Sequence, residues 1–274
     1  MTFVHRGVLV GLGLGWLLAA APAHADGAAA EGWALPPTAA PGDAYNATVA
    51  AAGAALGEAR RFSDAFALVS ERLAPSVVEV ESSFPAEGRE SGQSFARGEA
   101  SGVVVSPDGL VLTADHALEQ AARVDVRLRD GRSLPARVVG RDPATDLALL
   151  KVDAGHPLTA ARFVEGDGGR VGEWVLAVGA PRSGSPVVTM GILSAKTRTG
   201  TPSASGGMGS DVLLTDALMA LGSSGGALCD LEGRVLGVTT TSPGRGGMTV
   251  VVPAHVAKHV AEQLLKAGRV ARPW

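Results

Sequence analysis

Apolar and polar positions alternate in a way that changes character along this chain. From about residue 76 onward, short apolar runs rich in valine and leucine are cut by polar or glycine-bearing punctuation. The runs are 77–80, 102–105, 110–113, 124–128, 137–140 and 147–152, then 174–179, 187–193, 212–215, 234–239 and 249–252. Runs this short are strand lengths rather than helix lengths. Asp108-Gly109, Asp130-Gly131 and Glu232-Gly233 are hairpin signals between them, because glycine enters positive φ at little steric cost. Short strands with regular turn signals predict an antiparallel barrel or sandwich, in two sets at roughly 76–168 and 169–252. The end reads differently. Pro253 suits a helix start, Val256, Val260, Ala261, Leu264 and Leu265 form an apolar stripe, and Gly268 is a natural stop, so a helix is predicted over 253–267.

Ahead of the strands the texture is different again. Phe66, Val69 and Leu73 keep helical spacing and predict a short helix over 64–73, ended by Pro75. Residues 26–62 read as an Ala/Gly/Pro-rich leader, partly disordered or helical: Pro36, Pro37 and Pro41 forbid regular helix in its first part, and the alanine-rich 45–61 stretch has helical composition. Residues 1–25 read as a secretory signal, with Arg6 as the positive start, an apolar middle over 8–21 and Ala23-His24-Ala25 as a small-x-small cleavage site. The apolar run is shorter than the ~20 residues a membrane span needs. An exported chain starting near Asp26 is therefore expected, periplasmic or secreted, with no stable membrane span after cleavage.

Composition narrows the function classes. With 46% apolar and 19% charged residues in 274, the body is expected to be globular. A net charge of −3 without a lysine/arginine run gives no reason to expect nucleic acid as a partner. The single cysteine, Cys229, cannot form an internal disulfide and reads as a small buried apolar residue. His255 and His259 stand i,i+4 on the last predicted helix, but the segment lacks the glutamate of a zincin motif, so neither metal nor cofactor is expected.

Three positions have the residue types that amide hydrolysis needs: a nucleophile, a base, and a group that fixes the base. Gly222-Ser223-Ser224-Gly225-Gly226 crowds glycines around a serine, which leaves backbone N–H groups open to a substrate carbonyl; it also reads as an ordinary glycine-rich loop. Of the histidines past the signal, only His116 closes an apolar β run, where a rigid frame can hold an imidazole; a structural histidine is the other reading. Asp146 leads straight into a buried run, where its carboxylate needs a partner, or else it caps the turn after Pro143. The three arrive in the order His, Asp, Ser, two in the first strand set and one in the second. An α/β-hydrolase reading of Gly-x-Ser-x-Gly fails on context, since a hairpin-like segment over 227–239 follows the serine instead of a helix.

At these residues the chain resembles the trypsin-like, chymotrypsin-fold serine proteases, and within them the bacterial HtrA/Deg family. The resemblance rests on Gly102-Val103-Val104-Val105, on Asp108-Gly109-Leu110-Val111-Leu112-Thr113 ahead of His116, on the segment from Asp142-Pro143 to Val152, and on 188–194, 215–217, 222–226 and 234–238; it covers roughly 63–274. It implies an all-β protein of two antiparallel six-stranded barrels with a C-terminal helix, and an active site in the cleft between them. His116, Asp146 and Ser224 would be catalytic, with the N–H groups of Gly222 and Ser224 as the oxyanion hole. Leu218, six positions before the nucleophile, would lie at the base of the primary pocket, with Thr239, Thr240 and Thr241 along it. An apolar base disfavours Lys and Arg and favours small or medium apolar side chains. Unfolded polypeptides are the implied substrates, and homo-oligomers, trimers by analogy, are common in the family. The chain departs from the family at Ser223 (usually Asn), at Ala227 (usually Pro) and in the loop Gly179-Ala180-Pro181-Arg182-Ser183-Gly184 (usually Gly-Asn-Pro-Phe-Gly). Family members also typically continue into one or two PDZ domains, whereas this chain stops at Trp274, so a protease domain lacking one is expected. The rival to an enzyme is a protease-like binding or chaperone protein that rests inactive.

Overall fold

In the computed structural model, the described residues are 43–85, 95–166, 168–182, 185–198, 211–240 and 247–272; the predicted signal segment and the leader up to residue 42 lie outside them. The chain divides into two units, Met1–Ala54 and Ala55–Trp274, and the second holds both strand sets. Helix α1 spans Asp43–Leu73, so the short helix predicted at 64–73 is the end of a much longer one. No proline falls between Asp43 and Leu73, and alanine, the best helix former, dominates the first half. Among its described side chains, Val69 and Leu73 near the end of α1 are buried, while Leu56, Phe62 and Leu68 are exposed.

Twelve strands follow among the described residues. β1 (Val77–Pro85), β2 (Phe95–Val104), β3 (Leu110–Ala114), β4 (Arg123–Arg127), β5 (Ser133–Asp142) and β6 (Leu147–Val152) close a barrel in the order β1-β2-β3-β6-β5-β4. β7 (Trp174–Arg182), β8 (Ser185–Arg198), β9 (Asp211–Thr215), β10 (Ala227–Cys229), β11 (Val235–Thr240) and β12 (Thr249–Pro253) close another in the order β10-β11-β12-β9-β8-β7. All ladder pairs are antiparallel, so closure leaves neither barrel an open edge. The three predicted hairpin glycines have positive φ: Gly109 at 95°, Gly131 at 89° and Gly233 at 75°. At Gly109 any Cβ would also overlap the carbonyl of Val152.

Both faces of the central strands are buried, which is why their sequences run apolar without alternation. In β6, Ala148, Leu150 and Val152 fill the first barrel. Leu147 and Leu149 point the other way, into a cluster with Leu112, Val238, Val252 and Leu264. That cluster joins the first barrel, the second barrel and helix α2 (Ala254–Ala267). A second seam, including Val77, Val103, Leu176, Val178 and Cys229, joins the barrels under the end of α1. Each fully buried leucine here contributes about 2 kcal/mol by removal from water. Helix α2 stops as expected at Gly268, φ 68°, whose N–H donates to Leu264 O at 2.8 Å. Its buried face runs through Ala257, Val260 and Leu264, and Leu265 of the expected stripe is exposed instead. Burial pushes the Cys229 thiol up to about 12, so this lone cysteine is an inert core residue.

Candidate active site

His116 and Asp146 are brought to one end of the first barrel by adjacent antiparallel strands. Ala114, at the end of β3, pairs with Leu147, at the start of β6. The chain leaves β3 in a single 3-10 turn, Asp115–Leu118, that turns the imidazole back toward β6. Asp146 carries φ 57°, a left-handed conformation uncommon for a non-glycine residue. This conformation is held by three bonds. Asp115 N–H donates to Asp146 O at 3.1 Å, His116 N–H donates to Oδ1 at 2.9 Å, and the His116 ring approaches the carboxylate with Nδ1 2.8 Å from Oδ2 and 3.0 Å from Oδ1. An ionised carboxylate only accepts, so Nδ1 carries the proton in neutral His116 and Nε2 carries the acceptor lone pair. The hydrogen bond to Asp146 raises the His116 pKa above the ordinary imidazole value against partial desolvation, and the charges of Asp146, Asp115 and Glu119 add to it.

Two arginines clamp the turns that present this pair, and the sequence reading did not find them. Arg141 Nε donates to Asp115 Oδ1 at 2.5 Å, beside the histidine. Arg272 forks onto both oxygens of Asp142 at 2.6 and 2.5 Å, and Thr145 Oγ1 donates to Asp142 Oδ2 at 2.6 Å, at the base of the Asp146 turn. The aspartates are buried, so their charges need these partners.

The Gly222-Ser223-Ser224-Gly225-Gly226 turn comes from the second barrel and docks on the first. Ser101 N–H donates to Ser224 O at 2.8 Å. Gly225, φ 87°, lies so close to β2 and β3 that a Cβ would overlap Ser101 O and sit 2.8 Å from Ala114 N, two residues before His116. Gly225 N–H donates to Thr239 O at 2.7 Å, and Thr239 N–H to Gly226 O at 2.9 Å, which fastens the turn to β11. Gly222 has φ 82°, and among the described residues no backbone carbonyl accepts from its N–H. The turn continues directly into β10, not into a helix, as expected for a barrel and not for an α/β-hydrolase.

The other expected positions fall as follows. Leu218 is 61% exposed and its carbonyl accepts from Thr189 Oγ1 at 2.7 Å. Thr239 is buried with Oγ1 donating to Ser223 O at 3.2 Å, and Thr240 is mostly buried with Oγ1 3.5 Å from Val250 O. Thr241 lies outside the described residues. His255 and His259 turn to different neighbours, Asp211 at 3.6 Å and Gln263 at 2.7 Å. A cavity of about 840 Å³ between the end of α1, residues 159–163 and α2 is lined by none of His116, Asp146 or Ser224, so it is not the cleft of this site.

Comparison with known proteins adds to this geometry. A family model described as a trypsin-like peptidase domain matches residues 100–238. The chain is 38% identical over 190 residues to a probable periplasmic serine endoprotease DegP-like of Rhizobium meliloti (strain 1021), covering 68% of this chain and 37% of that protein. It is 41% identical over 204 residues to one of the same name from Ectopseudomonas mendocina (strain ymp), covering 71% and 41%. The chain thus spans about two fifths of the length of these curated relatives. A solved structure titled HtrA-type protease AlgW with decapeptide superposes with a TM-score of 0.64 at 32% identity, over 76% of this chain and 70% of that one.

Ser223 is 1% exposed, and among the described residues its hydroxyl has no hydrogen-bond partner. It packs against Gly179, where a Cβ would come within 2.6 Å of the Ser223 Cβ. An unsatisfied buried hydroxyl costs about 1–3 kcal/mol. Ser223→Ala should therefore leave stability in urea unchanged or raise it by about 1 kcal/mol. A loss above about 2 kcal/mol would show that the hydroxyl is bonded.

Proposed function

Because the chain belongs to the trypsin-like peptidases, and among them to the DegP/HtrA type, we propose that it is a serine endopeptidase acting on unfolded or damaged exported proteins through an acyl-enzyme. The observation that carries this reading is the bidentate approach of Asp146 to His116 Nδ1 beside the docked 222–226 turn. In the proposed reaction Ser224 Oγ attacks the scissile carbonyl and passes its proton to His116 Nε2. Asp146 keeps the proton on Nδ1 and stabilises the imidazolium as it forms. The N–H groups of Gly222 and Ser224 receive the developing oxyanion. The imidazolium then protonates the leaving amine, and water, deprotonated by the same histidine, hydrolyses the ester.

Export is supported by the signal-like first 25 residues and by relatives named periplasmic; no described helix is long and apolar enough to cross a membrane. Leu218 and the nearly fully exposed Leu221 support a preference for apolar side chains in a primary pocket bounded by Leu218, Thr239 and Thr240. Assembly into a homo-oligomer is supported by exposed Phe62, Trp174 and Met190, with Trp174 tilted against Phe66 at 5.9 Å. Sedimentation equilibrium is expected to give a multiple of the chain mass, and a single-chain mass at micromolar concentration would remove that part of the proposal.

A fluorophosphonate probe should label the wild type and not Ser224→Ala, and casein cleavage should follow the same pattern. Absence of both in the wild type would favour a binding protein that rests inactive.

His116 acts as a base only when neutral, so kcat/KM should rise with pH and reach half its plateau above the ordinary histidine value of 6.5, because Asp146 raises this pKa. Asp146→Asn should move that midpoint to lower pH and reduce kcat on the order of 10⁴-fold, the loss typical of a triad whose acid is neutralised. An unmoved midpoint would separate Asp146 from the histidine's titration. The same coupling stabilises the folded chain fully below pH ~6.5 and fades as pH climbs through the raised value.

A further inference from the structure

We propose that Ser101, on the first barrel, is the positioning residue that keeps the Gly222 N–H aimed at the oxyanion; this rests on the reading of Ser224 as nucleophile. Ser101 has no exposed surface, although it stands in a strand whose neighbours Ala100, Val103 and Val104 are core residues. All of its polar groups are engaged. The N–H donates to Ser224 O at 2.8 Å, and the C=O accepts from Thr113 Oγ1 at 2.7 Å. The hydroxyl donates to Gly222 O at 3.0 Å and accepts from Ala180 N–H at 2.8 Å. A serine hydroxyl has one proton to give, and here it goes to Gly222.

Gly222 needs such an anchor. As a glycine at φ 82° it has little steric barrier to rotating either adjoining peptide plane. Rotation of the 221–222 plane would carry its N–H away from the substrate carbonyl. Among the described residues, Ser101 Oγ is the one donor to the Gly222 carbonyl, while Ser223 N–H is tied to Ala220 O at 3.0 Å. Both bonds fix the 222–223 peptide plane, the frame from which the 221–222 plane and its N–H are set through φ at Gly222. Ser101 touches no reacting atom in this scheme; it acts through Gly222. A plain staple between barrels would instead affect stability or substrate binding.

The test is steady-state kinetics on a peptide ester with Ser101→Ala and Ser101→Thr. Loss of a whole oxyanion donor costs about 10²–10³ in kcat, so a donor that is only loosened should cost about 10–100-fold. Ser101→Ala is expected to lose that factor in kcat and in the rate of fluorophosphonate labelling, with KM within about twofold. Affinity for a peptide boronate should fall in parallel with kcat/KM, because a transition-state analogue reports the same interaction. Ser101→Thr, which keeps the hydroxyl, should recover most of kcat. Wild-type kcat in Ser101→Ala, or a rise in KM alone, would overturn the proposal. If Ser101→Ala does not fold, Ser101→Cys, of similar volume and weaker hydrogen bonding, should show the same selective loss, and normal kcat there would overturn it equally. If the wild type neither labels nor cleaves, the nucleophile reading fails and this inference falls with it. An active wild type with an unimpaired Ser101→Ala refutes this inference alone.

Discussion

The contact on which the site depends is the close approach of a backbone turn in one barrel to a strand edge in the other. Ser101 N–H meets Ser224 O, and Gly225 lies against Ser101 O and Ala114 N. The hydrophobic seams bring the barrels together but have no direction of their own. Register comes from these few polar contacts, each of which tolerates only tenths of an ångström. A side chain at 225 would separate the two halves of the site, so the glycine there is required by approach as well as by its positive φ.

Around this contact the polar groups are arranged in depth. Asp146 meets the histidine directly. Asp115 and Asp142 lie beneath the two presenting turns, buried and neutralised by Arg141 and Arg272. A buried ion pair contributes little net stability once desolvation is counted, though losing one partner is costly. These pairs are therefore better understood as fixing the geometry of the two turns than as strengthening the fold. Arg272 also makes the stretch after α2 part of the frame that holds the Asp146 turn.

Most strands were legible because double-sided burial writes itself as uninterrupted apolar runs, as in 147–152. β10 was not set apart as a strand, being three residues directly after a glycine pair, too short for any period to register. The first part of α1 is harder to read because its alanine-rich sequence carries few large apolar residues, so no helical stripe stands out. His116 and Asp146 could be singled out because each borders a run whose burial the sequence displays. Ser101, Arg141 and Arg272 could not, because their meaning lies in partners 121, 26 and 130 residues away. A serine set just ahead of an apolar run was the only trace of the first.

The backbone at Asp146 has a consequence for how this protein responds to selection. A left-handed conformation at a residue bearing a Cβ is a local debt that the surrounding bonds must cover, and glycine would occupy the same dihedral angles without it. At this one position the strain is offset by the bonds that the same carboxylate makes to His116. Screening libraries for melting temperature alone would weigh relief of the turn against loss of those bonds, with no regard for the imidazole they orient.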